Sequence, residues 1–125
     1  MLLLLDTHPL LWWLSRPEML SVEAHAAIED PSNDVYVSAA SAWEIAIKKQ
    51  LGKIDAPDDL GFQVEASRFV PLPIEIRHAL AVADLPPLHR DPFDRVLIVQ
   101  ARLEGMKLIS RDEIIPRYGI PTLRA

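Results

Sequence analysis

The chain has 125 residues, half of them hydrophobic and a quarter charged, the make-up of one globular domain with a real core and not of a disordered segment. No cysteine is present, which excludes disulfides and thiolate-held metal and suits a reducing cytoplasm. Lys and Arg number 13 against 18 Asp and Glu, a net charge of −5; this is not the profile of a protein that grips nucleic acid by phosphate neutralisation alone, but it suits one that gathers carboxylates around cations.

Leu2-Leu3-Leu4-Leu5 is a short apolar run cut by Asp6, far too short to span a bilayer and shaped like a buried parallel strand. It lacks a positive leader, so no secretory signal and no membrane association are expected. A helix follows through Leu10, Leu11, Trp13 and Leu14 with Pro9 in its first turn. Ser21 caps a second helix carrying Ala24, Ala27 and Ile28, which Pro31 ends. Asp34 to Ser38 reads as the second strand, and a third helix runs from Ala39 to Leu51 and closes at Gly52. Asp58 and Asp59 begin another helix reaching about Ser67.

Phe69 to Leu72 is a third strand, placed at an edge because Pro71 and Pro73 cannot donate ladder bonds. Ile74 to Ala83 reads as helical, and Leu85-Pro86-Pro87-Leu88 as a stiff loop. Asp91-Pro92 opens the clearest helix, running to Glu104 and stopping at Gly105. Lys107 to Ser110 is a strand, with a last one at Pro121 to Leu123. Strands alternating with helices predict a parallel sheet with helices on both faces, in one domain.

Ligands of such sheets bind beyond the carboxyl ends of the strands. Asp6 follows the first strand, Asp112 the fourth; Glu44 lies on the helix after the second, and Asp91 and Asp94 open the long helix. Each has a structural reading as well. Asp6 and Asp91 can cap helices, Asp94 can answer a helix dipole, Asp112 can cap the segment 113–117, and Glu44 can pair with Lys48 one turn on. Taken together, so many carboxylates at one sheet edge raise one another's pKa unless a cation neutralises them. Oxygen ligands without cysteine or a histidine pair point to Mg²⁺ or Mn²⁺, and so to metal-assisted hydrolysis of a phosphodiester. His8, His25, His78 and His89 share no metal-ligand spacing; the first three read as structural or surface residues, and His89 stands apart because it adjoins Arg90 and Asp91. His89-Arg90-Asp91 spells the start of a kinase catalytic loop, but no Gly-rich loop or Asp-Phe-Gly accompanies it.

Four segments carry a resemblance: Leu-Leu-Leu-Asp-Thr-His at 3–8, Val-Ser-Ala-Ala-Ser-Ala-Trp-Glu-Ile-Ala-Ile-Lys at 37–48, Leu-Pro-Pro-Leu-His-Arg-Asp-Pro-Phe-Asp-Arg at 85–95 and Leu-Ile-Ser-Arg-Asp at 108–112. In this order they resemble the PIN-domain ribonucleases, most closely the VapC toxins of bacterial toxin–antitoxin pairs, over almost the whole chain. The resemblance implies a single PIN domain over 1–125, a three-layer α/β/α fold with a central, mainly parallel sheet of four to five strands. It implies that Asp6, Glu44, Asp94 and Asp112 bind Mg²⁺ or Mn²⁺. Asp6 and Asp94 would be the most direct ligands, Glu44 a ligand or water-orienting base, and Asp112 a second-site or water-mediated ligand. Asp91 would be an extra acid with a capping role. Thr7 and Ser110 match the small hydroxyl residues that the family sets beside its acids, whereas Pro9 departs from the aliphatic residue common after Asp-Thr-His.

The family further implies a cytoplasmic RNA endonuclease, homodimeric and held inactive by a cognate antitoxin that pushes a basic side chain toward the acidic pocket. Lys48, Lys49, Arg90, Arg95 and Arg111 could line an RNA path or form solvated ion pairs; Trp12 and Trp13 read as core or partner-facing. A haloacid-dehalogenase-type phosphatase would want an acid where His8 stands, and a response-regulator receiver an acidic pair after the first strand. A PIN fold that has lost activity and serves as a binding or regulatory module is the remaining alternative.

Overall fold

Four consecutive leucines leave no polar face, so the strand they form must be covered on both sides. The computed structural model, which describes residues 1–125, places Leu2–Leu5 (β1) at the centre of a five-stranded sheet. The other strands are Asp34–Ser38 (β2), Val70–Leu72 (β3), Lys107–Ser110 (β4) and Thr122–Arg124 (β5). Their order is β3-β2-β1-β4-β5 and every pairing is parallel, with Leu5 beside Val37 on one side and Ile109 on the other. Chain order reverses between β1 and β4, so a crevice opens beyond their carboxyl ends, where Asp6 and Asp112 follow.

Six α-helices cover the sheet: Thr7–Ser15 (α1), Val22–Glu29 (α2), Ala39–Gln50 (α3), Leu60–Ala66 (α4), Ile76–Ala81 (α5) and Pro92–Glu104 (α6). Alternation along β1 divides the core. Leu3 and Leu5 pack with Leu10 and Leu11 of α1, Ala24 and Ile28 of α2 and Ile45 of α3. Leu4 faces the opposite layer, with Leu97, Ile98 and Ala101 of α6, Leu108 of β4 and Ile115. The result is the expected α/β/α arrangement, with a wholly parallel sheet of five strands. No helix is long and apolar enough to cross a membrane.

The sequence places most elements to within a residue or two, and the departures have local causes. Helix α4 begins at Leu60, because Asp59 stands at its N-cap position and Asp58 instead bonds to Lys49, at 2.5 Å. The helix expected from Ile74 begins only at Ile76: Glu75 and His78 close a capping box, the Glu75 amide donating to His78 Nδ1 at 3.0 Å. It stops at Ala81 and tightens into a 3-10 turn over Val82–Asp84. The last strand shifts by one residue: Pro121 has no N–H to give, and its carbonyl accepts from the Leu108 amide. Helix α6 ends at Gly105, whose φ of 66° is the left-handed conformation that a glycine adopts without strain.

Leu97 is 0% exposed beneath β1, whereas Leu80 on α5 is 69% exposed. Leu97→Ala should therefore cost about 2–5 kcal/mol in urea unfolding. Leu80→Ala should stay within about 0.5 kcal/mol; equal effects would contradict this assignment of the core.

Candidate functional site

Asp6 is the hinge between β1 and α1. Its Oδ1 accepts the Thr7 amide at 2.8 Å and its Oδ2 accepts the Ser110 hydroxyl at 2.7 Å. Ser110 ends β4, and its Oγ in turn accepts the amide of Asp112 at 3.0 Å. Thr7 donates its own hydroxyl across to Glu44 Oε1 at 2.5 Å, and the other oxygen of Glu44 takes Lys48 Nζ at 2.5 Å. Two hydroxyls thus couple three carboxylate regions that are far apart in the chain. Glu44 is only 4% exposed, so the ion pair with Lys48 and the position at the site coexist; the two readings of this residue were not exclusive.

Helix α6 adds the remaining acids. Asp91 caps it, accepting from the amides of Phe93 and Asp94 at 2.8 and 3.3 Å, and Pro92 takes the first helical position. Asp94 therefore stands in the first turn, at the positive end of the helix dipole. Asp112 accepts the Ile114 amide at 2.7 Å and so caps the turn leading to a 3-10 helix over Ile115–Tyr118. Asp6, Glu44, Asp91, Asp94 and Asp112 all line one cleft of about 360 Å³, beside Thr7, His8, Pro9 and Trp12, with Lys48 and Arg111 as its lysine and arginine side chains. The four predicted site residues and the capping acid are brought together.

The electrostatics follow from this crowding. Burial, then the charges of Asp6, Asp91, Glu44 and Asp112, push the Asp94 carboxyl up to about 8. Burial also raises Asp6, although the Ser110 and Thr7 hydrogen bonds pull the other way. Burial pulls Asp112 upward too, but its bonds from His89 and Ile114 prevail and hold it below the ordinary value. The Glu44 hydrogen bond raises Lys48, keeping that ammonium charged. Asp94 accepts from no backbone amide, and unlike Glu44, which Thr7 and Lys48 hold, it has no hydroxyl or lysine partner to offset its charge. Oxygen donors in this number, short of fixed positive charge, can hold a divalent cation.

His8, read from the sequence as structural or surface, lines the cleft, and His89 stands beside its acids. His89 Nε2 lies 2.6 Å from Asp112 Oδ2 and 3.0 Å from Asp94 Oδ2; the adjacency of His89 to Arg90 and Asp91 was the one signal for it. Arg95, expected as a possible RNA contact, points inward. Its Nη1 donates to the carbonyls of Pro86 and His89 and its Nη2 to that of Val82, stitching down the loop that carries His89. Lys49 pairs with exposed Asp58, the solvated alternative. Arg111 stacks over Trp12 at 4.2 Å and donates to the Ala125 carbonyl. Trp12 and Trp13 both pack against the core, as expected, Trp13 against Phe69, and Trp12 also lines the cleft. Of the other histidines, His78 is fully buried against Glu104, and His25 pairs with Glu29.

A carboxyl held up near 8 when folded and at the ordinary 3.8 when unfolded makes the folded protein bind the extra proton between those values. Its stabilising contribution is complete below the unfolded value and is lost as pH rises through about 8. The melting temperature of the metal-free protein should therefore fall from about pH 5 to about pH 8.5. Asp94→Asn should flatten that slope and melt higher at the alkaline end, and parallel curves for the two proteins would contradict this.

The PIN-domain family model matches residues 3–121 of the chain. The chain is 31% identical over 122 residues to Ribonuclease VapC22 of Mycobacterium tuberculosis, an alignment covering 94% of this chain and 92% of that protein. A shorter match, 50% identical over 36 residues, relates it to Ribonuclease VapC16 of the same organism, and spans 29% of this chain and 26% of that one. Among solved structures, VapBC2 from Rickettsia felis, bound to a DNA fragment from its promoter, superposes with a TM-score of 0.74 at 13% identity. That superposition covers 98% of both chains and speaks for the fold. With the five-stranded parallel sheet and the acids at its switch point, these similarities show that the chain belongs to the PIN-domain family, in its VapC-type branch.

Proposed function

We propose that the chain, as a single PIN domain over residues 1–125, is a divalent-metal-dependent RNA endonuclease and the toxin of a toxin–antitoxin pair. The observation that carries the reading is the cleft itself, where five carboxylates face one another beside one lysine and one arginine. The two Mycobacterium relatives, both named ribonucleases, support it. The donor set fits a hard cation: five carboxylates dominate it, with His8 and the neighbouring His89 as its imidazoles and no cysteine in the chain, which suits Mg²⁺ or Mn²⁺. When bound, such a cation neutralises the cleft, polarises a phosphodiester oxygen and lowers the pKa of bound water.

The protein's own groups then divide the remaining work. Asp6 and Asp94 are the direct ligands; both oxygens of Asp6 keep a lone pair free after one hydrogen bond each. Glu44, fixed by Thr7 and Lys48, is a ligand or orients the attacking water. Asp112 serves a second or water-mediated position. Lys48 and Arg111 at the cleft draw in the phosphate backbone that the overall charge of −5 would otherwise repel.

The same charge logic favours an antitoxin that presents a basic side chain to the cleft. A homodimer is supported by α3 and its C-cap, which expose Trp43 (60%), Ile47 and Leu51, an apolar face that a lone protomer leaves in water. The absence of cysteine suits a cytoplasmic setting.

Antitoxin-free protein should cut RNA with Mg²⁺ or Mn²⁺ and not with chelator, and Asp6→Asn and Asp94→Asn should each reduce cutting by at least about 100-fold with the fold intact. Metal binding without cutting, across a broad set of cellular RNAs, would favour instead a catalytically silent PIN domain that binds or regulates. In sedimentation velocity the protein should run as a dimer and Trp43→Asp as a monomer; a dimeric variant would remove α3 from the interface.

A further inference from the structure

His89 joins two of the acids. Its ring is almost enclosed (12% exposed), with Nε2 at 2.6 Å from Asp112 Oδ2 and 3.0 Å from Asp94 Oδ2. On the other side Nδ1 sits 3.1 Å from the Asp91 amide nitrogen, which can only donate. Nδ1 must therefore accept, the ring's proton belongs on Nε2, and that N–H goes to Asp112 Oδ2, with Asp94 Oδ2 close beside it. The backbone of the residue is pinned as well: its amide donates to Tyr118 Oη at 2.8 Å, and its carbonyl accepts from Arg95 at 3.2 Å.

From this geometry we infer that His89 is a positioning residue of the metal centre: an Nε2–H donor, not a ligand, that holds Asp112 after β4 in fixed orientation with its remaining oxygen lone pairs free, and sets it beside Asp94 at the start of α6. The inference rests on the metal-site reading above. Direct ligation by Nε2 would require the ring proton on Nδ1, facing the Asp91 N–H, and two donors would oppose each other. A donor to ligating carboxylates fixes their rotamers before the cation arrives, and loss of such a partner costs 10–100-fold in metal affinity.

The test combines Mn²⁺ titration calorimetry on the unaltered protein, His89→Ala and His89→Gln with ¹⁵N NMR of the metal-free imidazole. Expected are a roughly 10–100-fold weaker Mn²⁺ affinity in H89A, recovery to within a few-fold in H89Q, whose amide N–H reaches a similar place, and an unprotonated Nδ1. Unchanged affinity in H89A, failure of H89Q to recover, or a protonated Nδ1 would each overturn the inference. So would ¹⁴N coupling from His89 in pulsed EPR of the Mn²⁺-loaded protein, since it would make the residue a ligand. The NMR measurement needs no variant and decides the matter even if H89A does not fold. Absence of any Mn²⁺ binding by the unaltered protein would instead overturn the metal reading itself, with the tautomer still judging the hydrogen-bond clamp.

Discussion

Like charges in a confined cleft repel, and the rest of the structure is organised around that repulsion. Asp94 shows it most clearly: it feels Asp6, Asp91, Glu44 and Asp112 at once and is pushed up to about 8. A sheet edge that carried this arrangement without any return would lose stability to it. Natural interiors tolerate such groupings where a cation, a proton or a set of donors can occupy the space between them.

The donors here come from the fold's most ordinary parts. Helix α1 starts on Asp6 and α6 on Asp91 and Asp94, so two helix N-termini aim positive dipole ends at the cleft. Thr7 and Ser110 place hydroxyls beside Glu44 and Asp6, and Lys48 balances one charge from within α3. Asp6, Asp91 and Asp112 cap a helix or turn and face the cleft at once, and Glu44 faces it while paired with Lys48. That overlap is why each acid taken alone has a credible structural reading, and why only the set distinguishes a site. The loop over residues 85–89 is secured separately, by Arg95 and by Tyr118, whose hydroxyl donates to the Pro86 carbonyl at 3.0 Å.

How much the sequence reveals depends on whether the signal is local. The leucine run, the Asp91-Pro92 opening and the Gly105 stop are local, and they locate β1 and α6 closely. Asp6, Glu44, Asp94 and Asp112 were legible as candidates because parallel sheets place ligands beyond strand ends, and the cleft does gather them. His89 was legible only as the histidine that stands apart beside Arg90 and Asp91: its partner Asp112 lies 23 residues away, and only the folded chain brings them together. Arg95 was left between an RNA contact and a solvated pair because an arginine beside acids reads as a surface residue, while the bonds it makes in the fold are to loop carbonyls. The start of α5 moved because the bond from the Glu75 amide to His78 decides the cap, a choice that hydrophobic spacing does not encode.

The account stands on the claim that the cleft at the β1/β4 switch point is a cation site. Crystals soaked in Mn²⁺ and measured for anomalous scattering test it directly. Anomalous density is expected among the carboxylates of Asp6, Asp94 and their neighbours Glu44 and Asp112. Density at the other group with metal-like spacing, Glu75, His78 and Glu104, with none in the cleft, would contradict it.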